Sequence, residues 1–115
     1  MANAIQDKTR AFAIKIINCY KFLIEEQHEY VLSKQLRRCG TSIGANTRES
    51  KNAQSRNDFL SKLCISLKEA DETDYWLDLL HATDYIDDDL YDSLEKDCSE
   101  IIKILTSIIK TLKDQ

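Results

Sequence analysis

The chain has 115 residues, a formal net charge of −4, no proline and two glycines. This length favours one domain, residues 1–115, and the scarcity of turn formers excludes a fold of many tight hairpins in favour of long helices. No apolar run approaches the roughly 20 residues of a membrane-spanning helix, and the N-terminal residues lack the pattern of a signal peptide. We therefore expect an all-α protein that remains in the cytoplasm.

The four cysteines are widely spaced and form no C-x-x-C pair: Cys19, Cys39, Cys64 and Cys98. Zinc sites bring their ligands in pairs at short spacing, and this pattern lacks such pairs. Two disulfides are the alternative to reduced thiols, but a chain without a signal peptide favours the thiols. We expect all four to pack as small apolar residues.

Charge is divided between the two halves of the chain. Residues 1–57 hold ten Lys/Arg and five Asp/Glu, a net of +5, whereas residues 58–115 hold six and fifteen, a net of −9. An acidic chain is a poor default ligand for nucleic acid, yet its first half could carry a basic face. The same asymmetry would let the basic surface of one copy meet the acidic surface of another, and both interpretations stay open.

The first predicted helix runs from about Ala4 to Glu26 and has two adjacent apolar stripes at 3–4 spacing. One stripe holds Ile5, Phe12, Ile16, Cys19 and Leu23, and the other holds Ala13, Ile17, Tyr20 and Ile24. Together they make a wider apolar face than one neighbour can cover. We expect this helix to contact at least two others.

The second predicted helix starts at Val31 or Ser33, ends near Asn52, and carries both glycines, Gly40 and Gly44. Glycine inside a helix costs about 1 kcal/mol relative to alanine, so two on one face indicate a close approach of another helix. The positions of this helix that face the core change from apolar to polar residues half-way along. Those polar groups must find hydrogen-bond partners inside the bundle.

One face of the second helix is polar, with members at i, i+4, i+8 and i+11: Arg38, Ser42, Asn46 and Glu49. A solvated face is the alternative, but the glycines argue against full exposure because an exposed helix would gain from alanine there. We expect these four side chains to form a mutually satisfied polar network. With Gly40 and Gly44, they would serve folding and assembly.

The third predicted helix follows a cap at Ser55 or Asn57 and ends near His81. Trp76 lies on a face beside its main apolar stripe and is predicted to be core, with a subunit contact as the alternative.

The fourth helix follows three aspartates, residues 87–89, which fit a cap better than a calcium loop. Its apolar residues alternate steps of three and four: Tyr91, Leu94, Cys98, Ile101, Leu105, Ile108 and Leu112. Four such helices with short links predict an antiparallel up-down-up-down four-helix bundle.

Two carboxylate–imidazole pairs have the spacing of di-iron bundles: Glu25 with His28, and Asp78 with His81. Both pairs lie at helix ends near water, so ordinary surface histidines are the favoured interpretation. No Cys–His or Ser–His partnership and no phosphate-binding glycine loop is evident. We predict no catalytic residue, no metal, no cofactor and no enzymatic activity.

Six basic side chains on or just after the second helix could neutralise phosphates: Lys34, Arg37, Arg38, Arg48, Lys51 and Arg56. Without interleaved aromatic residues, binding to RNA through this set would be weakly sequence-specific. A solvated or intersubunit face is the competing interpretation.

The run SKQLRRCGTSIGAN, residues 33–46, resembles the signature of small bacterial four-helix-bundle proteins encoded within intervening sequences of 23S rRNA genes. The resemblance continues through residues 49–50, 53–55, 58–59, 62–63, 66–70, 72–73, 75–77 and 79–80, and spans about residues 5–112. It implies an antiparallel bundle that assembles as a ring, with homopentamers among the members, and that is not a ribosome component. Accessory variability proteins of diversity-generating retroelements are similar pentameric barrels that bind nucleic acid and a reverse transcriptase through basic surfaces.

Together, the split charge, the first helix and the resemblance predict a non-enzymatic homo-oligomer, a pentamer by resemblance. It would act as a scaffold or binding module for structured RNA or a nucleic-acid-handling protein. The net charge of −4 departs from the basic retroelement relatives. A purely structural or protein-interaction module with no nucleic-acid role is therefore the alternative.

Overall fold

The computed structural model describes residues 2–115, with side chains from Ala4 onward, and over these residues it contains helices and no strand. Met1, the first residue of the predicted domain, lies outside the described residues. The helices are α1 (Ala2–Glu25), α2 (Leu32–Ser50), α3 (Arg56–Ala82) and α4 (Asp88–Lys113). The predicted all-α class is confirmed. None of the four helices combines the length and the apolar character that a membrane span requires, over the residues described.

Each helix packs against two neighbours. α1 and α3 both pack along α2 and α4, whereas the backbones of the diagonal pairs, α1 with α3 and α2 with α4, do not approach each other closely within residues 2–115. Cross-helix contacts run antiparallel, because Ile16 of α1 faces Gly40 of α2 and Thr9 faces Gly44. The bundle measures 46 × 21 × 20 Å. The predicted up-down-up-down bundle and the double contact of the first helix are confirmed.

The core lies along the bundle axis and follows the helical period more closely than a strict heptad. In α4, Leu94, Cys98, Ile101 and Leu105 are buried as predicted, but the next fully inward residue is Ile109, and Ile108 is only partly buried. A straight helix repeats every 3.6 residues, so a seam of alternating three and four steps drifts off the core side after several turns.

Two of the predicted caps are confirmed by hydrogen bonds at the helix starts. The Ser55 hydroxyl accepts the N–H of Asp58 at 3.0 Å and begins α3. The Asp87 carboxylate accepts the N–H of Leu90 at 2.8 Å and begins α4. Each cap satisfies a backbone donor that has no partner inside the helix.

α2 is capped by a residue that the sequence pattern did not single out. Val31, the residue before the helix, makes no capping side-chain bond. Instead the buried Glu29 carboxylate accepts the N–H groups of Val31 at 3.2 Å, Leu32 at 2.9 Å and Ser33 at 2.6 Å. The Ser33 hydroxyl donates back to the Glu29 carbonyl oxygen at 2.7 Å. One side chain therefore holds the α1–α2 link and the start of α2 together.

Three of the four cysteines pack as predicted. Cys19, Cys39 and Cys98 are buried free thiols, and burial raises the pKa of Cys19 and of Cys39 to about 11. The prediction is wrong for Cys64, which is exposed. Cys64 directly follows the buried Leu63 on α3 and is therefore turned away from the core, so its small apolar side chain faces solvent.

Candidate functional site

The two glycines bring α2 against α1. A Cβ atom added at Gly40 would lie 2.8 Å from Cγ2 and 2.9 Å from Cγ1 of Ile16. One added at Gly44 would lie 3.4 Å from the carbonyl oxygen of Thr9. The predicted close approach is confirmed, and the neighbour is α1.

The polar residues that face inward on α2 find their hydrogen-bond partners beside this contact. Thr47 is fully buried, and its hydroxyl lies 3.1 Å from the hydroxyl of Thr9. The carbonyl oxygen of Thr47 accepts from Nε2 of Gln6 at 2.6 Å and from the hydroxyl of Ser50 at 2.5 Å. The prediction that these groups pair inside the bundle is confirmed.

The polar face of α2 is paired partly among its own members, as predicted, and partly with α3. The Ser42 hydroxyl donates to the carbonyl oxygen of Arg38 at 2.7 Å, and the Asn46 amide donates to that of Ser42 at 2.8 Å. The charged members reach across to α3, where Glu49 lies 3.8 Å from Nζ of Lys62. Short polar side chains one helical turn apart bond more readily to the backbone than to each other.

The six predicted basic residues fall into two groups in the structure, those with partners inside the bundle and those without. The Arg38 guanidinium donates to Glu69 of α3 at 3.2 Å and to Glu72 beside it. Arg56 donates to the carbonyl oxygen of Leu112 and to Oε1 of Gln115, each at 2.8 Å. Arg38 and Arg56 therefore already have partners within the bundle, and their predicted part in binding nucleic acid stays a prediction.

The other four basic residues follow one side of α2, at positions separated by three or by eleven residues, a spacing that keeps them on one helical face. We call this set the α2 basic stripe: Lys34, Arg37, Arg48 and Lys51. It faces α1, because the guanidinium carbon of Arg37 lies 4.5 Å from the ring centroid of Tyr20. That geometry is a cation–π contact, which leaves the guanidinium edge open to an anion.

A cavity of about 360 Å³ lies between α1 and α2 at the Arg48 end of the stripe. Arg48 and Lys51 line it from α2, and Arg10 lines it from α1, with Asp7 as the carboxylate of its lining. Gly44 and Thr9 also line this cavity. A side chain larger than hydrogen at residue 44 would project towards α1, so the same glycine that allows the close approach also keeps this space open.

The α1–α2 side of the bundle carries cations without carboxylate partners. Over the described residues, neither the α2 basic stripe nor Arg10 and Lys21 of α1 forms an ion pair. Lys8 and Lys15 of α1 pair instead with Glu100 and Asp97 of α4. Sequence reasoning missed Arg10 and Lys21 because it collected cations by nearness in the chain. Their positions outside both apolar stripes of α1 could have identified them.

The opposite side of the bundle holds a carboxyl pair. A hydrogen bond that protonated Glu95 donates to Asp74, together with burial, raises the pKa of Glu95 to about 7, and the negative charges of Asp74 and Asp78 add to the shift. Oε2 of Glu95 is buried and has no hydrogen-bond donor among the described groups. The pair links α3 to α4 through a proton that is lost near neutral pH.

Replacing Glu95 with Gln is expected to change how stability depends on pH. Because the folded-state pKa is raised, the stability that protonated Glu95 contributes is complete below about pH 4.5 and is lost as pH rises through about 7. The amide can donate to Asp74 at every pH. After allowance for solvent screening, we expect Glu95→Gln to raise the free energy of unfolding by about 1 kcal/mol at pH 8.

Urea unfolding from pH 5 to pH 8 checks this expectation. The matched control is Glu100→Gln on the same helix, which removes an exposed carboxylate paired with Lys8. We expect the control to lower stability slightly without removing the pH slope. A Glu95→Gln variant that keeps the wild-type slope would contradict the shared proton.

The two candidate metal pairs lie in surface contacts. His28 follows the end of α1 with a φ of 54°, and its Nδ1 lies 3.1 Å from the hydroxyl of Tyr30. Nε2 of His81 lies 2.7 Å from Asp88, and its ring stacks on Tyr91 at 4.2 Å. Within the described part of the chain, no three His, Cys, Asp or Glu side chains form a group that could hold a metal ion.

Comparison with known proteins agrees with the signature in α2. The family model described as 23S rRNA-intervening sequence protein matches residues 2–107. The chain belongs to this family. A crystal structure of a protein of unknown function from the S23 ribosomal protein family of Bacteroides thetaiotaomicron is 57% identical and has a TM-score of 0.93. The match covers 95% of this chain and 97% of that one. A search of curated proteins finds no match. The resemblance drawn from residues 33–46 is therefore confirmed, and its family members give no activity to assign.

Proposed function

We propose that this 23S rRNA-intervening sequence protein is a cytoplasmic, non-enzymatic, homo-oligomeric binding module, with a pentamer as the expected assembly. Its partner is structured RNA, bound through phosphate groups at the α2 basic stripe. The observation that carries the proposal is the α2 basic stripe, whose four cations have no carboxylate partner among the described residues.

The α2 basic stripe has the charge and the extent to follow a phosphate backbone. Lys34 and Lys51 are 17 residues apart, or roughly 26 Å along a helix. Arg37 is held against Tyr20 and Arg48 borders the cavity, so both guanidinium groups have fixed surroundings. Cations that neutralise phosphates release condensed counterions, which makes such binding strong at low salt and weakly sequence-specific.

Removing two charges from the stripe is expected to weaken RNA binding. Arg37→Gln with Arg48→Gln should lower affinity for a structured RNA about tenfold near 0.1 M salt, and should reduce the slope of log K against log salt by about 1 to 2. Filter binding over a salt series measures both quantities. The matched control is Arg38→Gln, which removes one charge from the adjacent residue on the α3 side, where Glu69 and Glu72 already neutralise it.

The control decides whether the stripe or the overall charge matters. We expect Arg38→Gln to leave affinity and salt slope close to wild type. A loss in Arg38→Gln about half that of the double variant, in proportion to the charge removed, would show that only net charge counts. Absence of salt-sensitive binding to any structured RNA would remove the RNA half of the proposal.

The oligomeric half of the proposal is supported by apolar surface left open on α1. Ile14 is 44% exposed and Ile17 is 38% exposed, although α1 already packs against α2 and α4. Ile14 and Ile17 lie one turn apart and form an exposed apolar patch, and apolar patches rimmed by polar residues mark interaction sites. Light scattering at micromolar concentration should give several times the monomer mass, and a monomer would overturn this half.

A protein-interaction module without an RNA role is the second candidate. The acidic half of the chain, with a net charge of −9 from six basic and fifteen acidic residues, favours it. Co-purification from lysate with and without ribonuclease separates the two candidates. Partners that survive ribonuclease treatment support the second, and partners that depend on RNA support the first.

A further inference from the structure

The outward side of α1 combines apolar and basic residues in a regular pattern. Ile14 and Ile17 are exposed at its centre, and Arg10 and Lys21 stand one turn before and one turn after them. We call these four residues the α1 outer face. Neither of its cations forms an ion pair with another described residue. An apolar centre with a charged rim is typical of a protein interface.

The outward side of α3 carries the complementary pattern. Tyr75 is 55% exposed, with its ring 5.3 Å from that of Trp76, and Asp71 and Asp78 stand one turn on either side of it. We call these three residues the α3 outer face. Both aspartates are exposed, and neither pairs with a cation within the described chain.

We propose that the α1 outer face of one copy packs on the α3 outer face of a second copy. Tyr75 would lie against Ile14 and Ile17, and the two aspartates would meet Arg10 and Lys21. This inference rests on the proposed homo-oligomer and names its interface.

The dimensions of the two faces match. Arg10 and Lys21 are eleven residues apart, or roughly 16 Å, whereas Asp71 and Asp78 are seven apart, or roughly 10 Å. The difference is about 3 Å at each end. Arg and Lys are the side chains long enough to extend along an apolar surface and cover that distance.

The position of the two faces decides the kind of assembly. α1 and α3 occupy diagonal corners of the bundle, and their backbones do not approach each other closely over residues 2–115. Their outer faces therefore point to different sides of the molecule, and each copy offers one of each. Such a contact is head-to-tail, so repetition closes a ring when the rotation per copy allows closure. A symmetric two-fold dimer would instead use the same face twice.

Charge reversal on either face tests the interface. Asp71→Lys with Asp78→Lys, and separately Arg10→Glu with Lys21→Glu, should each convert the assembly to monomer at micromolar concentration. Mixing the two variants should give complexes in which the two chains alternate, because each presents the charge that the other lacks. Such complexes hold an even number of chains, so their mass differs from that of a pentamer. One chain carrying all four substitutions should assemble by itself. Light scattering and native mass spectrometry measure these masses.

Two further variants keep the result interpretable. Asp92→Lys with Asp114→Lys changes the net charge equally, at an exposed site of α4 and at the exposed residue that follows α4, outside the α3 outer face, and should leave the assembly intact. Tyr75→Ala removes the apolar centre without altering charge and should weaken assembly at least tenfold. Circular dichroism confirms that each variant is folded.

The outcomes separate this inference from the proposal on which it rests. A monomeric wild-type protein overturns the homo-oligomer and the interface together. Assembly that persists in both reversal variants, or the absence of any mixed complex when the two are combined, overturns the interface alone. The salt slope of RNA binding by the Tyr75→Ala variant reports on the α2 basic stripe separately, because this variant alters neither the stripe nor the net charge.

Discussion

Replacing Gly40 with Ala is expected to lower the free energy of unfolding by about 2 kcal/mol, although alanine favours a helix by about 1 kcal/mol. The new methyl group would lie 2.8 Å from Cγ2 and 2.9 Å from Cγ1 of Ile16, closer than carbon atoms approach. Ile16 is fully buried, and both atoms are at its branched carbon, so the side chain has no room to turn away. The helices must separate instead. Urea unfolding measures the loss.

The second glycine supplies the control for this experiment. A methyl group at Gly44 would lie 3.4 Å from the carbonyl oxygen of Thr9, which is near an ordinary contact distance. We expect Gly44→Ala to change stability by no more than about 0.5 kcal/mol. Equal losses at both positions would show that helix separation is not the cause.

A double-mutant cycle with Ile16 identifies the contact directly. Ile16→Ala alone should cost about 2–5 kcal/mol, because it leaves a cavity in the core. Combined with Gly40→Ala, the loss should be smaller than the sum of the single losses, since the added methyl group then enters vacated space. Additive losses would contradict the proposed clash.

The fold could be predicted from helix periodicity because almost every apolar position fits the same 3–4 spacing. The stripes of α1 and α4, the caps at Ser55 and Asp87 and the absence of proline all point to four long helices. The close approach at Gly40 was predictable for the same reason, since two glycines in one helix need an explanation. The neighbour that approaches was not predictable from α2, because either adjacent helix could fill that space.

The assignment of charged residues to surfaces was the weakest part of the sequence prediction. Arg37 and Arg38 are adjacent in the chain but about 100° apart around α2, so they face different neighbours. Arg37 stacks on Tyr20 of α1, and Arg38 pairs with Glu69 of α3. Periodicity gives the angle between two residues, but not which helix stands at that angle. Arg10 and Lys21 were missed for the same reason, because they come beside α2 only when the helices pack in the folded bundle.

Removing the carboxylate of Glu29 is expected to have an effect of similar size on stability. Glu29→Ala leaves the N–H groups of Val31, Leu32 and Ser33 without their acceptor at the start of α2. A buried donor without a partner costs about 1–3 kcal/mol, but water can reach the exposed Val31 end of this turn. A net loss of about 2 kcal/mol in the free energy of unfolding follows, near the upper end for a helix cap.

The variant Glu29→Gln separates charge from hydrogen bonding at this cap. Glutamine keeps one acceptor oxygen but loses the second oxygen and the negative charge that favours a helix start, so about half of the loss should remain. Glu26→Ala, three residues earlier in the same link, removes an exposed carboxylate and should cost less than about 0.5 kcal/mol. Thermal and urea unfolding of the three variants give the ranking. A Glu29→Ala variant as stable as Glu26→Ala would mean that water replaces the carboxylate completely, and that the position of α2 is set by its contact with α1 alone.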